Sequence, residues 1–332
     1  PAARAASIAT RRSSDAMSWS QCIIHAMHIV VMGAGGVGGY FGAKLARSGE
    51  AVTMIARGEH LAAIRRDGLR IRSAVEGESV VRPTAVEDPA GLPTADLVLF
   101  CVKSFDTEAA VERIRPVVGP ETAVLSLQNG VDNEVRIDTL LGPGHAMGGV
   151  AQVFAAIERP GVIAHHFAGR IVFGELDGRR SPRAERLLAA FERAGINVEL
   201  STDVRRALWE KYIFICAVAG MTAITRETIG TVRETPECWR MFRAIVDETT
   251  ALARACGIAL APDAVDAVLK LAQGIAAGNR ASLAQDLLQG RRLELEALHG
   301  HAVRLGERLG VPTPAVFAVY AALKPHVAGR RG

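Results

Sequence analysis

Residues His28 to Arg57 (HIVVMGAGGVGGYFGAKLARSGEAVTMIAR) constrain this chain more than any other stretch. A short β-branched run, His28 to Met32, leads into Gly33, Gly35 and Gly38 at G-x-G-x-x-G spacing, and Tyr40 to Arg47 begin a helical pattern. Ala51 to Ala56 reads as a second strand, so the glycines sit in the strand-loop-helix-strand context that the motif requires. The spacing is mechanical. Gly33 permits a tight turn, Gly35 lets backbone approach a pyrophosphate, and Gly38 allows the helix to pack on the strand. The N–H groups at the helix start then face the anion. With Ala34, Gly36 and Val37 completing the loop, the segment predicts a Rossmann-type dinucleotide site. The plain alternative is a tight glycine turn with no ligand.

The end of the second strand bears on which dinucleotide. NAD sites commonly place Asp or Glu there for the ribose 2′-hydroxyl, whereas this chain has Ala56-Arg57-Gly58, with a guanidinium suited to a 2′-phosphate. NADP(H) is therefore expected. The alternative for Arg57 is an ordinary solvated side chain.

At 332 residues and 49% hydrophobic content the chain can bury one large core or two moderate ones, which argues against disorder. The net charge of +4 is small for this length and no basic run appears, so a nucleic-acid partner is not expected. Cys22, Cys101, Cys216, Cys238 and Cys256 lie far apart with no C-x-x-C, which disfavours a metal site and a disulfide framework and fits the cytoplasm. The longest strongly apolar stretch, Ile213 to Ile224, falls short of the roughly 18 residues needed to cross a bilayer, so no membrane segment is expected. Residues 1–26 are rich in Ala, Arg and Ser without apolar periodicity. An acid-poor opening of this kind can mimic a transit peptide. With Met27 one residue before the first strand, the simpler reading is a disordered extension or an early start codon.

Downstream the sheet pattern continues. Asp96 to Val102 and Ala123 to Leu127 are nearly continuous apolar runs of the kind parallel strands show when both faces are covered, and helical stretches at Thr107 to Val117 and Asp132 to Leu140 alternate with them. This βαβ rhythm predicts a doubly wound sheet with ligands at the carboxyl ends of its strands. Lys103 and Asn129 stand at two such ends, although Asn129-Gly130 could equally be simple turn chemistry. Short β segments at Gly149 to Ala155, Gly161 to His166 and Arg170 to Phe173 follow, then a helix over Ser181 to Ala194 and a last strand at Ile196 to Leu200. After Asp203 strand signals vanish and amphipathic patterns such as Leu295, Leu298, Ala302, Leu305 and Leu309 take over. The expected organisation is a Rossmann-type α/β domain over residues 27–201 and an all-α domain over residues 202–328. Thr202 or Asp203 can cap the first helix of the second domain.

That helix carries an anomaly. In Leu208-Trp209-Glu210-Lys211-Tyr212-Ile213-Phe214-Ile215-Cys216 a lysine stands among large apolar side chains, and burying an ammonium costs several kcal/mol unless something compensates. One reading makes Lys211 a proton donor and electrostatic clamp for an alkoxide formed by hydride transfer. The other has it snorkel to water.

These residues together resemble the ketopantoate reductase (2-dehydropantoate 2-reductase) family, from Met27 to about His326. The landmarks are Gly33-Ala34-Gly35-Gly36-Val37-Gly38, Arg57, Val102-Lys103, Gln128-Asn129-Gly130, Leu208-Trp209-Glu210-Lys211, Ser282-Leu283-Ala284-Gln285-Asp286 and Arg291-Arg292-Leu293-Glu294. The resemblance implies an enzyme that uses NADPH to reduce a 2-oxo acid, with Lys211 protonating the new hydroxyl. It also implies Lys103 and Asn129 at the nicotinamide end and the substrate, Asn279 and Ser282 at the substrate carboxylate, and Glu294 beside the lysine, the cofactor and the substrate hydroxyl. A carboxylate there would favour the charged lysine.

One departure stands out. Better-known members carry Asn one and two turns after the lysine, where this chain has Ile215 and Ala219. Spacings of four and eight put all three on one helix stripe, which has become apolar. A polar substrate group pressed there loses hydrogen bonds at about 1 to 3 kcal/mol each. A related hydroxy-acid dehydrogenase whose substrate has a different, less polar acyl portion is thus the alternative to ketopantoate reduction, and a non-catalytic NADP(H)-binding protein is a third reading. Glu296, where the family often has Asp, keeps the charge. A homodimer is possible, but no heptad or symmetric signature identifies an interface.

Overall fold

The computed structural model describes residues 26–330. Apart from Ala26, the expected amino-terminal extension lies outside the described residues. Among the described residues the first half holds ten strands: β1 (His28–Met32), β2 (Ala51–Ile55), β3 (Leu69–Ser73), β4 (Gly77–Val81), β5 (Thr84–Val86), β6 (Leu97–Phe100), β7 (Ala123–Ser126), β8 (Ala146–Arg159), β9 (Val162–Gly174) and β10 (Asn197–Leu200). Helices α1 (Gly36–Arg47), α2 (Gly58–Asp67), α3 (Thr107–Ile114), α4 (Asn133–Leu141) and α5 (Pro182–Arg193) connect them. Strands β6 and β7 are buried at every residue, which is why their sequences are apolar without alternation.

The sheet runs β4-β3-β9-β8-β7-β6-β1-β2-β5, with β10 joined to β9. Strand β1 pairs in parallel with β2 on one side and β6 on the other. The chain order reverses between β1 and β6, so the crevice beyond their carboxyl ends is the natural ligand position of a doubly wound sheet. The α/β expectation holds, with two differences in detail. The three short segments expected between Gly149 and Phe173 are two long antiparallel strands, β8 and β9. Ala168-Gly169 does not separate strands, because the register steps from Arg170 to Ala168 and leaves Gly169, at φ +140°, as a bulge. Second, α2 and β3 to β5 fill a stretch in which no element was expected. Leu69 and Ile71 are buried while Arg70 and Arg72 are exposed, a two-residue period too short to stand out in the sequence.

The second half is helical: α6 (Val204–Thr225), α7 (Ile229–Glu234), α8 (Pro236–Ala255), α9 (Ala264–Gly274), α10 (Ser282–Leu288), α11 (His301–Leu309) and α12 (Pro314–Leu323), with a π-helical turn at Glu296–Gly300 before α11. Asp203 is the cap of α6, its side chain accepting the Arg206 N–H. Helix α6 is longer than the apolar run suggested, and an 18-residue window of it, with mean hydropathy 1.4, is long and apolar enough to cross a membrane. It is instead the central helix of this half, 67% of that window being buried against its neighbours. Trp209, Tyr212, Ile213 and Cys216 join Phe242, Leu295 and Val319 in one apolar cluster. Of the leucine-rich stripe, Leu295, Leu298, Ala302 and Leu305 are buried, while Leu309 at the end of α11 is exposed. The front of α6 also packs on β8 and β9, which brings Lys211 to the junction of the two halves.

Candidate active site

An open cleft of about 2760 Å³ runs from the glycine loop, along the ends of β1, β6 and β7, to α6, α9 and α10. That exceeds the roughly 300–1,000 Å³ of ordinary small-molecule pockets and has room for an extended ligand beside a small one.

The loop at one end is built as its spacing demands. Gly33 has φ +100°, and a Cβ on it would lie 3.0 Å from the Val102 backbone nitrogen. A Cβ on Gly38 would meet the Gly33 carbonyl oxygen at 2.2 Å, so only glycine lets α1 pack this close. Gly35 has nothing within 4 Å on its open side and lines the cleft. No side chain caps α1, which leaves its first-turn N–H groups to an anion. This cradle fits a pyrophosphate. Gly36 meets the opposite wall: its Cβ position is 2.1 Å from the Ala155 carbonyl oxygen, on the stretch of β8 bent by register shifts. His60 pins the loop from below, Nε2 lying 2.8 Å from the Ala34 oxygen while Nδ1 accepts the Gly161 N–H at 3.0 Å. Burial keeps this imidazole's pKa below its ordinary value despite the Ala34 contact.

Arg57 caps the start of α2 just past β2, at the rim of the same cleft. Its guanidinium is exposed and lies 3.8 Å from Asp106. Lys103 and Asn129, from the ends of β6 and β7, both line the cleft. Gly130 at φ +124° allows the turn that presents Asn129, whose carbonyl accepts the Asn133 side-chain amide.

Lys103 reaches across to the helical half. Its amine donates to Glu294 at 2.9 Å and Asp286 at 3.0 Å, and the Glu294 carboxylate also accepts the Ser104 N–H at 2.9 Å. Burial opposes the charge on Lys103, but the two carboxylates outweigh it and raise its pKa. Glu294 is thus bonded directly to Lys103. Its position beside Lys211 is looser than expected, for no carboxylate lies within 4.0 Å of the Lys211 amine among the described residues.

Lys211 lies in the front third of α6, in the cleft wall. Burial dominates its electrostatics and the negative charge of Glu294 only partly compensates, so its pKa is pushed down to about 8. Ile215 and Ala219 line the same wall one and two turns further on. Asn279 and Ser282, at the approach to and start of α10, are exposed to the cleft. The cleft therefore brings every expected site residue except Gly38, which packs behind the loop, onto one continuous surface. It also reveals groups absent from the expected site: Asp286, Ser104 and His60. Ser104 and His60 act through partners far away in sequence, and no local pattern marks them. Asp286 was visible only as part of a family landmark.

A glycine-loop cradle at the switch point of a parallel sheet, facing a half-buried lysine on a helical partner, defines a two-domain oxidoreductase of the nicotinamide-dinucleotide type. Residues 29–178 match the family model for ketopantoate reductase PanE/ApbA, and residues 203–327 match its C-terminal model. The 2-dehydropantoate 2-reductase of Halobacterium salinarum is 32% identical over 87% of this chain and 95% of its own length. A PanE/ApbA family ketopantoate reductase from Ralstonia eutropha JMP134 shares 37% identity at a TM-score of 0.84, over 91% of this chain and 98% of that one. The 2-dehydropantoate 2-reductase from Geobacter metallireducens GS-15 shares 32% at 0.85, over 90% and 99%. This chain belongs to the ketopantoate reductase family, a family of NADPH-using oxidoreductases.

Proposed function

We propose that this protein reduces a 2-oxo acid to the 2-hydroxy acid with NADPH, with 2-dehydropantoate to pantoate as the first candidate reaction. The observation that carries the reading is Lys211: a lysine held in the cleft wall with its pKa near 8 is charged at neutral pH yet able to give up a proton. Residues 27–201 would hold the cofactor through Gly33, Ala34, Gly35, Gly36 and Val37, with Gly38 seating α1 behind them, Arg57 at the 2′-phosphate and Lys103, Asn129 and Glu294, the last reaching in from the helical half, at the nicotinamide end. Residues 202–328 would supply the substrate side, Lys211 at the oxo oxygen and Asn279 and Ser282 at the carboxylate, with Asn129 opposite. When bound, the dinucleotide would supply a hydride to the oxo carbon. The forming alkoxide then needs a cation in a dry site and a proton, and Lys211 supplies both. Lys103, bonded to Glu294 and Asp286, ties the two halves together beside it.

The pH dependence follows in sign. Lys211 must be protonated to act as an acid, so kcat/KM for reduction should be level below pH 8 and fall about tenfold per unit above it. In the reverse direction the neutral amine is the base, and the rate should rise through the same range. A reduction profile still level at pH 9.5 would exclude Lys211 as the titrating donor.

A second reading concerns the substrate. The apolar pair Ile215 and Ala219 in the cleft wall favours a less polar acyl group than that of ketopantoate. NADPH oxidation measured over a panel of 2-oxo acids, ketopantoate included, should then show the less polar acids ahead by about tenfold in kcat/KM, the equivalent of one lost hydrogen bond. Ketopantoate turnover as efficient as in an ordinary family member would leave the pocket unaltered in practice. Both readings describe a small-molecule enzyme. We further propose a cytoplasmic homodimer: α6 is packed within the protein, while Leu309 and Phe317 on the adjacent α11 and α12 are exposed and apolar. Light scattering that returns a monomer mass would remove the dimer.

A further inference from the structure

We propose that Asp106 relaxes the choice between phosphorylated and unphosphorylated dinucleotides, so that this enzyme binds NADH as well as NADPH. The inference rests on the dinucleotide reading of the glycine loop and goes beyond it. Asp106 ends the short 3₁₀ turn Ser104–Asp106 that follows Lys103, and it stands at the N-cap position of α3. An aspartate there ordinarily accepts a bond from its own helix. This one accepts none, and its carboxylate lies 3.8 Å from the Arg57 guanidinium. Among the described residues Arg57 has no other ion pair, and its side chain is 82% exposed, so Asp106 is the one charged partner that faces it. Both line the cleft beside the glycine loop.

The consequence is electrostatic. A 2′-phosphate seated on Arg57 would stand within a few ångströms of the Asp106 carboxylate, and like charges at that range repel appreciably even near solvent. A ribose 2′-hydroxyl suffers no such repulsion and can donate a hydrogen bond to the carboxylate. NAD sites place that acid at the end of the second strand. Here it arrives from the turn after β6, opposite an arginine, and each form of the cofactor meets one favourable group. Arg113, two turns along α3 and also lining the cleft, offsets part of the repulsion, so discrimination is relaxed and not inverted.

The test is direct binding, measured by quenching of protein fluorescence with NADPH and with NADH at fixed ionic strength, for the wild type, Asp106→Asn and Asp106→Glu. The wild-type Kd values should lie within about tenfold of each other, Asp106→Asn should shift their ratio toward NADPH by about tenfold, and Asp106→Glu should stay within about twofold of wild type. A wild-type preference for NADPH above about a thousandfold, or a ratio that Asp106→Asn leaves unmoved, overturns the assignment. Failure of both nucleotides to bind overturns the dinucleotide reading itself and this inference with it. Because no substrate turnover is measured, an error about the 2-oxo acid cannot imitate any of these results.

Discussion

Lys211→Ala should lower kcat about a thousandfold while leaving the Kd for NADPH within about twofold, the scale on which a positioned general acid acts. The lysine sits in the helical wall of the cleft, away from the glycine loop, so cofactor binding should not register its loss. On the role proposed for Lys211, the loss is that of a cation beside the developing alkoxide and of the proton it needs. Lys211→Arg separates the two contributions. A guanidinium keeps the charge but does not give up its proton at neutral pH, and kcat should recover only in part. Single-turnover rates with saturating NADPH would measure this directly, and a Lys211→Ala enzyme within tenfold of wild type would end the proton-donor role. The depressed pKa makes the prediction sharper, because an ordinary surface lysine would be neither so costly to keep nor so ready to give up its proton.

Gly38→Ala is expected to be strongly destabilising in the cofactor half. Its added methyl would lie 2.2 Å from the Gly33 carbonyl oxygen, 2.9 Å from a Val31 methyl and 3.0 Å from the Cys101 Cβ. Backbone stands on one side and a buried strand on the other, so relief requires α1 to move off the sheet. Destabilisation of about 3 kcal/mol follows, a fall in Tm of roughly 6–12 °C, together with loss of nucleotide binding. Gly35→Ala is the contrasting case. Nothing lies within 4 Å of the methyl it adds, so stability should change by less than about 0.5 kcal/mol. NADPH affinity should nevertheless fall, because the methyl enters the space through which the pyrophosphate approaches the loop. Calorimetric melting and nucleotide titration of the two variants together distinguish a packing glycine from a binding one. Equal melting temperatures would contradict the packing described for Gly38.

Much of this was legible in the chain because it is encoded over short distances. The glycine spacing and the apolar runs at β6 and β7 each express a backbone requirement within a few residues, and the α/β-then-α division follows from where strand signals stop. Lys211 was conspicuous for the opposite reason, as a charge in a segment that otherwise reads as core. Where the local signal was weak the reading failed: β3 to β5 are short and half exposed, and β9 absorbs Gly169 as a bulge that looks like a break. The apolar stretch Ile213 to Ile224 is only part of α6, since Lys211 and Glu210 interrupt the run while the helix continues through them.

Short-range patterns in the chain encode the glycine loop, the α/β-then-α division and the oddity of Lys211 among apolar neighbours. That Glu294 bonds Lys103, 191 residues away, that Asp286 joins them, and that Asp106 meets Arg57 came from packing alone. The physical reason is that backbone periodicity repeats within a few residues, whereas a charge finds its partner only when sheet and helices have packed and desolvated the space between them.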